Sequence, residues 1–296
     1  MRISVLIAAY NAAVTLPRAF ASLRAQSHSD WDLVVVEDGS HDGTEALVRI
    51  FAATESRPVH YENLGVNRGV SGARNRLLEL ATGDAVAFLD ADDWWEENHL
   101  AHGLVHLRAG AGLVITGVRT FDLETDLTLG LVLPPPALET RPVHALFFES
   151  AIVTCSCVLL ARKTVAQTGV FDLNLSVGED RDYWLRAALA QVRFQIEPLC
   201  SCHYAKHRGS TMAHTLKVTD QTVRFYEKHF DLPSVPITSR RRQLAHALLN
   251  AGRLHRAGSA RTSIRELWRA WRLTPNNALI ALHLAFSGAR LWRRPA

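Results

Sequence analysis

The sequence predicts an α/β fold: a mostly parallel sheet flanked by helices, followed by a helical C-terminal appendage. Three observations carry the prediction. Short continuous apolar runs rich in β-branched residues alternate with segments of helical period, the pattern of buried strands joined by crossover helices. Several of these runs stop at a polar or acidic turn, and ligands of such sheets bind beyond the carboxyl ends of the strands. The charge is also split along the chain: residues 1–236 sum to −7, whereas residues 237–296 hold 12 arginines, no lysine and one acid, Glu266, for +11.

The first run, Ile3-Ser-Val-Leu-Ile-Ala-Ala, ends at Tyr10-Asn11. Thr15-Leu-Pro17 then has the form of a helix start, with Thr as N-cap and Pro in the first turn, and Phe20 and Leu23 follow at helical spacing. Leu33-Val-Val-Val36 is a buried strand that stops at Glu37-Asp38-Gly39-Ser40, and a helix is expected around Thr44–Ala53. Val59–Glu62 reads as a third strand and Val70–Ala81 as a third helix. Ala85-Val-Ala-Phe-Leu89 is a fourth strand, ending at Asp90-Ala-Asp-Asp93; a helix near Glu96–Leu107 and a strand near Leu113–Val118 come next.

Residues 122–150 are less regular, and Pro134-Pro-Pro136 marks them as a loop or insertion over the site. Ile152–Leu160 is another apolar run. Gly178-Glu-Asp-Arg-Asp-Tyr-Trp-Leu-Arg186 opens a helix with carboxylates in its first turn, where the helix dipole favours them. Phe194–Ile196 is a strand, residues 203–214 are polar, and from Thr215 the chain reads as helical with breaks near Pro233–Pro236 and Thr274-Pro275. The expected division is a body over residues 1–215 and a helical, arginine-rich extension over 216–296.

With 48% hydrophobic, 21% charged and 8% aromatic residues in 296, the composition is that of a soluble globular chain and excludes wholesale disorder or a disulfide scaffold. No signal-peptide core follows the first strand, and Leu273–Ala289 carries Pro275, Asn276, Asn277 and His283, unsuited to a spanning helix. A cytosolic protein is expected, in which the cysteines of two Cys-Ser-Cys units, Cys155/Cys157 and Cys200/Cys202, stay reduced and buried rather than bind zinc.

The chemistry gathers at strand ends. Tyr10-Asn11, Glu37-Asp38 and Asp90/Asp92 all fall at the carboxyl edge of predicted parallel strands, which argues for one site there. Asp90-Ala91-Asp92 offers two carboxylates to a hard divalent cation, of the kind that keeps waters and shares a diphosphate.

Five segments, in order, resemble glycosyltransferase family 2, the inverting nucleotide-sugar transferases of the GT-A fold. They are Val5-Leu-Ile-Ala-Ala-Tyr-Asn11; Val34-Val-Val-Glu-Asp-Gly-Ser-His-Asp-Gly-Thr44; Asn67-Arg-Gly-Val-Ser-Gly-Ala-Arg-Asn75; Ala81-Thr-Gly-Asp-Ala-Val-Ala-Phe-Leu-Asp-Ala-Asp-Asp93; and Gly169-Val-Phe-Asp172 with Glu179-Asp-Arg-Asp-Tyr-Trp-Leu-Arg186. Together they cover roughly residues 1–210. The resemblance implies transfer of a sugar from a UDP- or dTDP-linked donor to a hydroxyl of a glycan, lipid-linked or other acceptor. It implies that Asp38 accepts a hydrogen bond from the base, that Ala8 and Tyr10 shape the base pocket, that Arg74 approaches the base or diphosphate, and that Asp90 and Ala91 contact the nucleotide. Asp92 is implied as the principal ligand of Mg²⁺ or Mn²⁺, with Asp90 and His207 beside it. Asp180 is implied as general base, with Glu179 orienting the site or binding the acceptor. Trp94, Trp95 and Arg208 are candidates for contacts with acceptor or diphosphate. Tyr204–Met212 resembles the family's segment after the last core strand, but Ala205 stands where an Arg is usual, so phosphate contact would fall to Lys206 or Arg208. Asp182 and Arg186, four apart on a helix, are expected to pair.

Two other readings stand beside this one. A nucleotidyltransferase-like enzyme would want a Gly- and Lys-containing phosphate loop, which Ala8-Ala-Tyr-Asn-Ala-Ala13 is not. A catalytically silent nucleotide-sugar-binding adaptor would have no need of Asp92 and Asp180. In the tail, Arg261, Arg265, Arg269 and Arg272 share one helix face, and Ile264, Leu267, Trp268 and Trp271 are expected to form its apolar stripe. Ala278–Trp292 is a further helix. Packing on the catalytic domain, a homodimer contact and peripheral attachment to an anionic membrane on its inner face are the readings for the tail. Nucleic-acid binding is not expected.

Overall fold

The computed structural model describes residues 1–207 and 215–292, with side chains through residue 287. The chain divides into two compact units, Met1–His207 and Arg208–Ala296. In the first, the strands among the described residues form a nine-stranded sheet of order β3-β2-β1-β4-β8-β6-β9-β5, with β7 paired to β6.

The parallel half is built as the apolar runs predict. β1 (Ile3–Ala9) pairs in parallel with β2 (Trp31–Glu37) and β4 (Ala85–Phe88), and β2 with β3 (Val59–Asn63). The central strands are buried because α1 (Leu16–Arg24), α2 (Thr44–Thr54) and α3 (Gly69–Leu80) serve as crossovers. Thr15 is the N-cap residue of α1, but its hydroxyl donates to the Ala12 carbonyl instead of capping the helix. The register sets Ala8 against Val36, Ala9 against Glu37 and Leu6 against Phe88, so the turns after β1, β2 and β4 open on one edge.

The other half is mixed. β5 (Trp94–Trp95) precedes α4 (His99–Arg108), and β6 (Leu113–Asp122) runs past its predicted end into a hairpin with β7 (Leu127–Val132). The segment expected as a loop thus holds a strand, then α5 (Ala137–Thr140) and α6 (Pro142–Phe148) after the triple proline. β7 was hidden because its leucines are exposed, not alternately buried: Leu127, Leu129, Leu131 and Leu133 are all more than half exposed. The Ile152–Leu160 run becomes a 3₁₀ turn at Cys155–Cys157 followed by β8 (Val158–Ala161), which lies antiparallel between β4 and β6. α7 (Arg162–Thr168) and α8 (Glu179–Leu189) lead to β9 (Phe194–Lys206), parallel to β6 and antiparallel to β5. β9 outruns its apolar start because Pro198, which has no N–H to give a ladder, sits in a bulge between the Glu197 and Cys200 pairings. β1–β4, β6 and β9 run one way and β5, β7 and β8 the other, so the sheet is mixed but mostly parallel.

The second unit consists of helices over its described residues: α9 (Thr215–Lys228), α10 (Ile237–His255), α11 (Ala260–Leu273) and α12 (Ala278–Trp292). Leu244, Leu248, Leu249 and Leu267 form much of its core. Trp268, expected on the apolar stripe of α11, is 51% exposed and lies with Arg261, Arg265 and Arg272 on the outer face. Ser263, Glu266, Leu267 and Ala270 are buried instead. Among the described residues no helix is long and apolar enough to cross a membrane.

Candidate active site

The turns after β1 and β2 are sewn together before any ligand is considered. Asn11, at φ +48°, donates its N–H to Ser40 Oγ and accepts from the His41 N–H through Oδ1. Ala12 N–H donates to Thr44 Oγ1 and Ala13 N–H to Asp42. Gly39 holds φ +72°, and a Cβ there would come within 2.9 Å of the Val66 backbone, so the glycine is needed for both its conformation and its size. Asp38 is buried, and its Oδ1 accepts from the Arg68 N–H at 2.6 Å, tying this turn to the start of α3. Ala8 is half-buried and Tyr10 is 50% exposed at the end of β1.

One face of α3 is the frame of the site. Ser71, Arg74 and Asn75 lie three and four residues apart and meet the approach to α8. Ser71 Oγ donates to the Leu175 carbonyl, and Asn75 clamps the Phe171 backbone through both its amide groups. Arg74 is 5% exposed and bridges two carboxylates: Nη1 donates to Glu179 at 2.7 Å and Nη2 to Asp90 at 2.8 Å. The guanidinium expected at the base or diphosphate therefore links the acidic edge of β4 to the first turn of α8. Its Nε is buried without a partner.

Beneath the acids lies a floor of hydroxyls that sequence reasoning missed. Asp90 accepts from Thr154 Oγ1 through Oδ2, and its N–H donates to Ser156 Oγ. Ser156 Oγ in turn donates to Asp93 at 2.6 Å, and Ala205 N–H donates to the other Asp93 oxygen. Asp93 is wholly enclosed, and burial together with Asp92 and Asp90 pushes its carboxyl far above the ordinary range. The only trace of this floor in the sequence is that Thr154 and Ser156 are small hydroxyls inside an apolar run. The middle residue of Cys155-Ser-Cys157 thus works in the site, while the two cysteines are buried and free.

Asp92 stands at the rim. Its Oδ2 lies 3.0 Å from His207 Nε2, just beyond the end of β9. Burial and the charge of Asp90 raise the Asp92 carboxyl, against the pull of His207. Among the described residues no group of three or more His, Cys, Asp or Glu converges as a metal cage. Asp92 and His207 are the pair at this edge whose oxygen and ring nitrogen could take part in holding a divalent ion together with phosphates. Ala91 is half-buried between the two acids.

Asp180 follows Glu179 in the first turn of α8, behind Gly178 in the left-handed conformation. Its Oδ1 accepts the Arg181 N–H, and Arg181 reaches on to the carbonyls of Leu146 and Phe147 on α6. Burial first, and the neighbouring Glu179 second, push Asp180 up to about 7, while Arg74 pulls it down. As the spacing predicts, Arg186 pairs with Asp182 at 2.9 Å, and it also donates to the Thr168 and Val170 carbonyls. The two tryptophans differ. Trp95 is buried, stacks on His99 and donates its indole N–H to the Ser156 carbonyl, a framework role. Trp94 is half-buried between the His203 ring and the Arg18 guanidinium, 4.6 Å from its centroid. Arg208 lies outside the described residues.

These strand ends and motifs have counterparts in known proteins. The chain is 26% identical over 218 residues to the UDP-Glc:alpha-D-GlcNAc-diphosphoundecaprenol beta-1,3-glucosyltransferase WfaP of Escherichia coli, covering 73% of this chain and 81% of that one. It is similar in fold, at TM-score 0.67 and 16% identity, to residues 1–349 of S. aureus TarS in complex with UDP-GlcNAc, covering 98% of this chain and 88% of that one; against the longer TarS chain it spans 53%. A mannosyltransferase of Pyrobaculum calidifontis in complex with GDP-Man and Mn²⁺ matches at TM-score 0.61 and 21% identity, over 99% of this chain and 81% of that one. The family model described as glycosyl transferase family 2 matches residues 4–169, from the first strand through the Asp90–Asp92 edge to the turn after α7. The chain is a glycosyltransferase that belongs to glycosyl transferase family 2 and is related to bacterial polysaccharide-biosynthesis glycosyltransferases.

Proposed function

We propose that this chain moves a sugar from a UDP-sugar to a hydroxyl of a glycan borne on a lipid diphosphate, with inversion at the anomeric carbon and Asp180 as general base. The observation that carries the reading is the Asp90–Arg74–Glu179 bridge. It ties the first turn of α8, where burial and Glu179 raise the half-buried Asp180 carboxyl to about 7, to the acidic turn expected to hold the donor. A base of this strength is half ionised near neutral pH and still drives proton abstraction, the compromise general-base catalysis favours. The relatives supply the substrate class: the WfaP name specifies UDP-Glc and a diphosphoundecaprenol-linked sugar, and TarS was solved with UDP-GlcNAc.

In this reading Asp38 and the backbone of Ala8 to Tyr10 receive the base. Asp90 and Ala91 border the ribose, and Trp94, between His203 and Arg18, braces the rim. Asp92 and His207 would hold Mg²⁺ or Mn²⁺, with Asp90 adjoining; when bound, the ion neutralises charge on the leaving diphosphate. Asp180 takes the proton from the acceptor hydroxyl as its oxygen attacks, and Glu179, held by Arg74, fixes the turn that aims Asp180. Residues 1–215 carry the catalysis and residues 216–296 set where it happens.

The test is Asp180→Asn with a UDP-sugar panel and a lipid-diphosphate acceptor. Transfer should fall by about 10³-fold or more, while UDP still shifts the melting temperature as in the parent. Retained transfer in a folded variant would remove Asp180 from the chemistry.

A further inference from the structure

Helix α12 is turned the wrong way round for a helix in water. Over the residues whose side chains are described, its polar groups face inward: Ser287 is fully buried against Ser263 Oγ at 3.0 Å, and both Ser287 and His283 accept hydrogen bonds from Arg256. Ile280 is buried beside them. The outward side carries Leu279, Leu282 and Phe286, three and four residues apart and 48, 51 and 55% exposed, and the residues between them on that side, Ala278, Ala281 and Ala285, are exposed as well. A helix that buries its hydroxyl and imidazole and shows leucine and phenylalanine to the outside expects a non-aqueous cover.

The charge around it says what the cover is. The single acid of residues 237–296, Glu266, is buried and paired with Arg265 and Arg269, so Arg241, Arg242, Arg261 and Arg272 have no acid of this segment to neutralise them. Arg241, Arg242, Arg261, Arg265 and Arg272 are exposed, and Trp268 stands among the last three. Arg242 and Leu279 line one pocket of about 290 Å³, which places a guanidinium beside the start of the apolar stripe. Arg242 beside a strip of leucine and phenylalanine, on a helical unit with a strong excess of arginine, suits the boundary between phosphate headgroups and acyl chains. At 15 residues α12 is about 22 Å long, short of the ~30 Å hydrocarbon core, and only one side is apolar, so it would lie in the surface and not cross it.

We propose that α12 docks this chain on an anionic lipid bilayer, with Leu279, Leu282 and Phe286 seated among acyl chains and Arg242 of α10 over the phosphates. The inference is independent of the catalytic assignments. The full chain is to be sedimented with vesicles of phosphatidylcholine alone or mixed with phosphatidylglycerol, at low and high salt. Wild type should bind the anionic vesicles at least about tenfold more tightly than the neutral ones, and lose that preference at high salt. The double variant Leu282→Glu/Phe286→Glu should lose at least about tenfold in binding with its melting temperature and its transfer to a soluble acceptor unchanged. Trp emission of wild type should shift to the blue with anionic vesicles and be quenched by brominated acyl chains, a readout that needs no variant. Absence of vesicle binding, or equal binding to both lipids, would overturn the proposal. So would a wild-type dimer that the double variant converts to monomer, since a second copy would then be the cover.

Discussion

Asparagine at position 180 should make the protein more stable and useless at the same time, and the gain should depend on pH. An ordinary aspartate titrates near ~3.9, whereas burial and Glu179 hold Asp180 up at about 7. At about 1.4 kcal/mol per pH unit, ionising this carboxyl in the folded state costs up to about 4 kcal/mol. The side chain keeps an edge in water, so about half of that, roughly 2 kcal/mol, is the working figure. The folded protein holds the proton more tightly than the unfolded chain, so stability is greatest below the unfolded value and drains away as pH rises toward 7. Asparagine keeps the Oδ1 acceptor used by the Arg181 N–H and never ionises. Melted at pH 8, Asp180→Asn should therefore gain about 2 kcal/mol, roughly 4–8 °C for a unit of this size. At pH 4 the two proteins should melt together. A gain of the same size at both pH values, or a loss at pH 8, would refute the burial argument whatever happens to transfer.

Four further outcomes follow from the same geometry. Arg74→Ala leaves the buried Glu179 and the half-buried Asp90 without their cation and should cost about 3 kcal/mol in urea unfolding, whereas Arg74→Lys, unable to span both, should recover part of it. Ser156→Ala removes the donor to Asp93 and the acceptor of the Asp90 N–H; about 1–3 kcal/mol of stability should go, with transfer reduced as the acidic turn loosens. The acid limb of kcat/KM should fall with unit slope below about pH 7, the region where Asp180 takes up its proton; a limb centred near pH 4 would assign the base elsewhere. Exhaustive chelation should stop transfer and Mn²⁺ or Mg²⁺ restore it, with Asp92→Asn no longer responding to added metal; rates indifferent to chelator would remove the ion from Asp92 and His207.

The parallel half of the fold was readable because its information is local. Short apolar runs fix β1–β4, and Asp38, Asp90 and Asp92 fall near one edge because they directly follow β2 and β4. The partner of Arg74 was not readable, since Glu179 lies 105 residues on and only the folded sheet brings α3 to α8. Ser156 was hidden because a hydroxyl in an apolar run looks like a tolerated core residue until the acids above it are placed. β7 escaped because burial, which makes strand alternation visible, is missing there. Trp268 was misplaced on α11 for a related reason. Periodicity finds an apolar stripe, but whether a large aromatic beside it packs inward or stays out among arginines is decided by the neighbouring helix, where Gly252 leaves room for Leu267.

The polar face of α3 also limits how the site can move. Ser71, Arg74 and Asn75 hold the backbone at Leu175 and Phe171 and the side chain of Glu179, while Arg74 simultaneously holds the end of β4. The first turn of α8 cannot swing toward or away from the acidic turn without stripping Arg74 of a carboxylate in a place where water does not reach it. Any rearrangement on donor binding must carry α3, the α8 turn and Asp90 as one block. The orientational freedom of the turn that carries Asp180, the proposed base, is thus removed when the chain folds, and any closure on a substrate would have to come from segments outside this block.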